Sequence, residues 1–430
     1  MLKTPHNSCI YDNLNNLNNA NNTNNVKCVQ YKDVTFSGYK KTQVFQELKK
    51  SILKGEIDKA CFWAAELDAS CFTSELWTKL LLFAAKEINY ANPSLPVYLY
   101  RRYQEYCKLS SNWDRNELRN SQESRNRLCE LICILSLSAK KKFPDCPKIK
   151  DTDFKIYHMK RKMIAKNQTL IANIVSSNNT TEIKIALNEF ANYLTLDSCS
   201  TDSIKNCLFW LDWIAYYTKL YKKIYGQELK CNEARSNPQS HVNIDPKYIN
   251  NFIWYIWDII LYTLTIIEKR VTSSSSFDYL KENIDSLHLL YKTDFAKGNM
   301  NSRLVYVKYA VLLIKKNISS KIYRNTTNHL DALCIHACAN VNDLYRFILN
   351  NRQIYQYNLK EQQLNSQIES IPSQLQSEAD IENNIRRNHQ RMIKSKEIGN
   401  YIQNQKYGRE KFEAEIRRLS EHNKSSLNKY

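Results

Sequence analysis

Glycine is scarce in this chain of 430 residues: six occur, Gly38, Gly55, Gly226, Gly298, Gly399 and Gly408, and no two lie within eight positions of each other. A dinucleotide fingerprint needs three glycines within six residues, and a Walker-type phosphate loop needs two bracketing its lysine region. Neither fits this spacing, so glycine-loop nucleotide binding is excluded. Proline is almost as rare, at eight residues. An all-β chain, with its many tight turns, is disfavoured by the same shortage. No Cys-x-x-Cys, His-Glu-x-x-His or Gly-x-Ser-x-Gly occurs, and the eight histidines are scattered. Metal hydrolysis and nucleophilic catalysis therefore have no starting point. The expectation is a non-enzymatic protein with no metal and no cofactor.

Long apolar runs are also missing, with one exception. Phe252–Ile267 is greasy over sixteen residues but carries Asp258, and a bilayer span needs roughly twenty. It reads as a buried helix, so no membrane partner is expected. The amino terminus, Met-Leu-Lys-Thr-Pro-His-Asn, has no apolar signal core. Thirteen cysteines are present, an odd number, and most sit in apolar runs such as Lys-Ala-Cys61-Phe-Trp and Leu-Cys129-Glu-Leu-Ile-Cys133. These read as small, reduced core residues in an intracellular chain.

The chain divides into three parts by composition. Residues 1–40 contain an asparagine tract, Asp12 to Asn25, with too little apolar surface to offset ordering entropy, and read as a disordered tail. Residues 41–350 carry helical periodicity: Val44, Leu48 and Ile52, stopped by Gly55; Ile57, Ala60, Cys61, Ala64 and Leu67; Leu76, Trp77, Leu80, Leu81, Ala84 and Ile88. The pattern returns at Ile183, Leu187, Phe190 and Leu194, and at Leu330, Leu333, Ala337, Val341, Leu344 and Ile348. An all-α, irregular multi-helix array follows, of the HEAT-like or helical-hairpin kind, with a possible division near residues 140–166. Lys59-Ala-Cys-Phe-Trp-Ala-Ala and Lys205-Asn-Cys-Leu-Phe-Trp-Leu look alike but set no fixed period. Residues 351–430 read as a polar helical tail with a heptad seam at Leu364, Ile368, Ile371 and Leu375, interrupted by Pro372.

Charge is the strongest functional signal. Lys plus Arg number 62 against 43 acidic residues, a formal +19, which favours an acidic partner. Between residues 140 and 166, ten Lys or Arg oppose three Asp, a net +7, with Phe143, Phe154 and Tyr157 interleaved. Lys140, Lys141, Lys142, Lys148, Lys150, Lys160, Arg161, Lys162 and Lys166 are the candidate phosphate contacts to RNA or DNA, and the aromatics suit stacking on unpaired bases. A solvated lysine-rich loop is the plain alternative. Two tryptophan-rich helices, with Trp210, Asp212 and Trp213, and with Trp254, Trp257 and Asp258, read as core or a protein interface. An acid–base pair of Asp212 and Asp258 is the remaining option. The Cys334-Ile-His336-Ala-Cys338 cluster fails as a metal set: on a helix His336 points about 200° from Cys334.

The stretch Glu47–Leu67, with Glu75-Leu-Trp77, Asn92-Pro-Ser-Leu-Pro96, Cys207–Trp213 and Ile253–Asp258, resembles a family of helical proteins of giant nucleocytoplasmic DNA viruses that has no assigned activity. The resemblance covers roughly residues 43–320. It implies a viral protein in the host cytoplasm, at viral factories or in the virion, with viral protein partners reached in part through the carboxy-terminal tail. Lys54–Ala64 with Ala91–Pro96 also resembles the C-terminal oligomerisation domain of clamp-loader-like AAA+ ATPases, although the ATPase glycine loop is missing. The expectation is a helical adaptor or scaffold associated with nucleic acid in replication, transcription or RNA processes. A virion-associated interaction module and a HEAT-type scaffold for translation factors are the alternatives.

Overall fold

The computed structural model describes residues 32–175, 179–196, 198–231, 244–270, 274–316 and 335–349. The asparagine tract and the expected tail at 351–430 with its heptad seam lie outside these residues, as do Leu330, Leu333 and Cys334. Twelve α-helices are bounded in the described parts: α1 (Lys41–Lys54), α2 (Ile57–Ala69), α3 (Thr73–Phe83), α4 (Leu95–Asn112), α5 (Arg115–Asn120), α6 (Gln122–Leu137), α7 (Ile156–Lys160), α8 (Thr181–Thr195), α9 (Thr201–Tyr225), α10 (Ile253–Glu268), α11 (Ser274–Lys292) and α12 (Met300–Lys316). A further helical segment covers 335–349, with a turn at Asn340. Among the described residues, strand pairing amounts to two isolated bridges, Val34 with Lys40 and Lys230 with Asn251. The all-helical architecture is as the periodicity predicts.

The predicted faces are buried. Val44, Leu48 and Ile52 of α1 and Ala60, Ala64 and Leu67 of α2 close on each other, and α6 packs on both helices. Gly55 ends α1 in the left-handed region, φ 71°, where its N–H returns to Ile52 O. Only glycine adopts that conformation without cost. α8 pairs with α9 and α11 with α12 in the same sequential manner. α12 is the hub, touching α3, α8, α9, α10 and α11. Its run from Tyr306 to Lys315 is buried on nearly every side, as expected of a helix enclosed by others. α10 is likewise enclosed, and among the described residues no helix is long and apolar enough to cross a membrane.

One boundary moves. Residues 32–40, counted with the amino-terminal tail, belong to the core: Phe36 and Thr35 are buried, and Phe36 N donates to Ser70 Oγ at 2.7 Å. Glu66 binds Ser37 through both its backbone N–H and its hydroxyl, so this arm is fixed to the end of α2 by buried polar contacts as well as by Phe36.

Several cations are buried in helix-terminal roles. Arg303 Nη1 donates to Leu290 O at 2.8 Å and Tyr291 O at 3.1 Å, near the end of α11. Lys315 Nζ donates to Tyr193 O and Leu196 O, both at 2.8 Å, at the end of α8. The last turn of a helix leaves carbonyls without intrahelical donors and carries negative partial charge, so a cation there satisfies both.

Candidate nucleic-acid interface

α9 has defined ends. Ser200 Oγ accepts from Ser203 N at 3.1 Å, and Gly226 closes the helix at φ 70°. Its first half, Ile204 to Ile214, is buried against α8 and α12. Its second half runs outward. From Trp213, aromatic residues recur every four positions and form a ladder down one face: Trp213 and Tyr217 stack at 4.9 Å and 12°, Tyr217 and Tyr221 lie at 6.3 Å, and Tyr221 and Tyr225 at 4.6 Å. The top of the ladder is closed, but Tyr225 at its foot is 61% exposed; Tyr216, on the other side of the helix, is 44% exposed. Lys219 and Lys223 are exposed at i+3 and i+7 from Tyr216, and Lys222 pairs with Glu228 at 2.8 Å.

The basic segment runs along this helix and is held largely by its backbone. At its start, Lys141 N donates to Glu87 O at 2.8 Å, and Asn89 Nδ2 donates to Lys141 O. At its middle, Trp213 Nε1 donates to Asp153 O at 3.0 Å, and Phe154 stacks on Tyr216 at 5.4 Å. At its end, Glu189 accepts from Ile164 N and Ala165 N, and Asn188 Oδ1 from Leu170 N. Between these anchors the chain is irregular, apart from a 3-10 turn at Asp151–Phe154 and the single turn of α7. Pro144 and Pro147 suit that irregular start.

The nine predicted phosphate contacts separate into two groups. Lys141, Lys142, Lys148, Lys150, Lys160, Arg161 and Lys166 are exposed. Arg161 also stacks over Tyr157, 4.4 Å from the ring centroid, and Tyr157 is 62% exposed. Lys140 and Lys162 are engaged within the fold. Lys140 Nζ donates to Leu135 O, Ser136 O and Ser138 O at 2.9, 2.7 and 2.6 Å, closing the end of α6. Burial pushes its ammonium down to about 8; the three carbonyls act against that push, because they stabilise the charged form. Lys162 Nζ sits 3.8 Å over Phe209 and 3.4 Å from Asp153.

The tryptophan-bearing positions are not a surface. Trp210, Trp213, Trp254, Trp257 and Asp258 are each at most 1% exposed. Trp254 Nε1 donates to Tyr248 O at 2.8 Å, and Trp257 stacks on His288 at 4.6 Å. Their faces are taken up by this chain's own helices, which removes them from an interface with a partner. Asp212 is half-buried, with Lys308 Nζ at 2.6 Å, an ion pair made within the fold. The ladder below Trp213 was not anticipated, although Trp213, Tyr217, Tyr221 and Tyr225 share a spacing of four that the sequence displays.

A cleft of about 800 Å³ opens beside α3 and α4, lined by Asp68, Cys71, Tyr103, Cys107, Arg119 and Asp294. Its polar groups bind one another: Tyr103 OH donates to Asp294 Oδ2 at 2.9 Å, and Asp68 accepts from Thr73 Oγ1 at 2.6 Å and Tyr345 OH at 2.5 Å. Burial raises the Asp68 carboxyl above its ordinary range. Cys71 is disulfide-bonded, so the expectation of reduced cysteines does not hold at that position.

Comparison with known proteins gives no match: no protein family, curated protein or solved structure matches this chain. The surface of α9 and the basic segment must therefore be read from its own chemistry.

Proposed function

We propose that this chain is a non-enzymatic helical adaptor that binds single-stranded nucleic acid along the outer half of α9 and the basic segment beside it. The observation that carries the reading is exposed Tyr216 with exposed Lys219 and Lys223 at i+3 and i+7 on its side of α9, next to the basic segment, which meets Tyr216 through Phe154 and exposes Tyr157, Lys155, Lys160 and Arg161. Bases stack on exposed rings irrespective of sequence, and lysines neutralise phosphates. Sequential pairing of α1 with α2, α8 with α9 and α11 with α12 supports reading the array as stacked helical hairpins that present this surface. The viral setting rests on the sequence resemblance described above.

Fluorescence anisotropy with labelled oligo-dT and oligo-U, over a range of salt, tests the proposal. Changing Lys141, Lys142, Lys155, Lys160, Arg161 and Lys166 to Gln is expected to weaken binding and lower the salt slope by up to about 4 for a single strand. Unchanged affinity and slope in a folded variant would overturn it. A protein partner is the second reading, favoured by Ile224, which is 62% exposed at the end of α9. On that reading Ile224→Asp abolishes partner capture while the lysine variants leave it intact.

A further inference from the structure

Three cysteine sulfurs converge between α2 and α6, next to the helical segment 335–349. The Sγ atoms of Cys61, Cys129 and Cys133 all lie within 4.8 Å of one another, and all three residues are buried. Cys61 and Cys129 Sγ are 3.6 Å apart. Cys133 follows Cys129 one turn along α6, and Cys338 approaches Cys129 from the segment 335–349 but lies outside that group of three. Cys338 is half-buried, with its Sγ 3.5 Å from Asn126 O. Cys129 thus has two close sulfur neighbours, one on α2 and one on its own helix, with Cys338 near enough to supply a fourth ligand.

We propose that Cys61, Cys129, Cys133 and Cys338 form a tetrathiolate zinc site that fastens the segment 335–349 to α2 and α6. In a tetrahedral ZnS4 centre a Zn–S bond of about 2.3 Å sets the S···S edges at about 3.8 Å, so three sulfurs stand ready and Cys338 closes on them when the ion binds. The 3.6 Å separation of Cys61 and Cys129 is close to that edge and far from a disulfide bond of about 2.05 Å. A four-sulfur set selects thiophilic ions over magnesium or calcium. Zinc needs no redox partner, and binding exchanges thiol protons for the cation, so no oxidant is required.

The surroundings suit a closed structural centre. Arg125, one turn ahead of Cys129 on the same face of α6, stacks over Tyr345 at 4.3 Å and donates to Asn342 Oδ1 at 3.1 Å. Its guanidinium partly offsets the net negative charge that four thiolates leave around a divalent ion. Val341, Leu344 and Ile348 pack the same segment into the core. The set differs from the one the sequence draws attention to: Cys338 takes part, but its ligand partners come from α2 and α6 instead of from His336 and Cys334. Sequence separation hides this, because Cys61 and Cys338 are brought together only by the fold.

The proposal is independent of nucleic-acid binding. Its test is metal analysis of the full chain purified under reducing conditions without chelator, followed by Co2+ titration of the stripped protein. About one zinc per chain is expected, and Co2+ should give thiolate charge-transfer absorption with intense tetrahedral d–d bands. Cys129→Ser should abolish both, and Cys338→Ser should weaken binding by roughly tenfold or more. Cys207→Ser, which removes an equally buried thiol from α9, should retain both, so a folding defect is told apart from loss of a ligand. Less than a tenth of an equivalent of zinc with no charge-transfer band in the parent chain would overturn the proposal. So would a Cys61–Cys129 disulfide in peptides from alkylated, unreduced protein, an iron–sulfur spectrum, or full Co2+ absorption in Cys129→Ser.

Discussion

Up to Trp213, the rings of α9 meet α8, α12 and the basic segment, and they are closed from water; beyond it, Tyr217 and Tyr221 are half-buried and Tyr216 and Tyr225 stand in the open. The two halves share a helix and a similar number of rings, Phe209, Trp210 and Trp213 against Tyr216, Tyr217, Tyr221 and Tyr225, although the outer rings are all tyrosine and the outer half carries more lysine. The inner half is also the one that receives a second layer of helices. Aromatic content therefore does not distinguish a core from a binding surface; the distinction lies in what else the chain brings alongside.

The most damaging way to probe this contrast is Trp213→Ala. A fully enclosed tryptophan is expected to cost about 3–5 kcal/mol on truncation, read as a lower midpoint in urea unfolding. A loss under about 1 kcal/mol would show that the inner half is not the packed half. Next comes the pair Tyr216→Ala and Tyr225→Ala. Tyr216→Ala should lower oligonucleotide affinity by about 1–3 kcal/mol at every salt concentration, Tyr225→Ala, on the other side of α9, should leave it nearly unchanged, and both should keep stability within about 0.5 kcal/mol of the parent. Equal stability losses in both halves would erase the contrast.

The lysines offer the same contrast at smaller amplitude. Lys140→Gln should destabilise by about 1–2 kcal/mol, because it deprives three carbonyls at the end of α6 of their donor, and it should leave the salt slope alone. Changing Lys141 and Lys142 together should do the reverse, lowering the single-strand slope by about 1.4 with no change in melting. Smallest is Gly226→Ala. Nothing lies within 4 Å of the added carbon, but φ is +70°, so left-handed strain alone should cost about 1 kcal/mol. The last turn carrying Tyr225 should fray, which amide exchange reads directly.

Much of the helical frame was legible in sequence. Leu48, Leu76, Leu187 and Phe190 announce buried faces through their spacing, and Gly55 marks a stop, because periodicity and capping are local properties. The order of layers was not legible. α12 becomes the hub because five helices close around it, a fact that no window along the chain contains. The basic segment was found as charge, yet Lys140 and Lys162 look the same as their neighbours until α6 and Phe209 claim them. The tryptophans were read as core or interface, and only neighbours from distant sequence decide for the core. The sulfur cluster escaped because its members join residues far apart in the chain.

The basic segment is fastened at Glu87, Glu189 and Asn188 through its own amide groups. Main-chain N–H groups are common to every residue but proline, so the path of this ribbon is largely indifferent to which side chains it bears. Between Lys141 and Lys160 most of its side chains can therefore change over generations without the segment leaving its track along α9. Selection can retune the number and spacing of positive charges there, or reverse their sign, while the helices beneath keep their sequence. Related chains should accordingly differ most in this ribbon and least in the residues that hold it, Glu189 and Asn188 foremost.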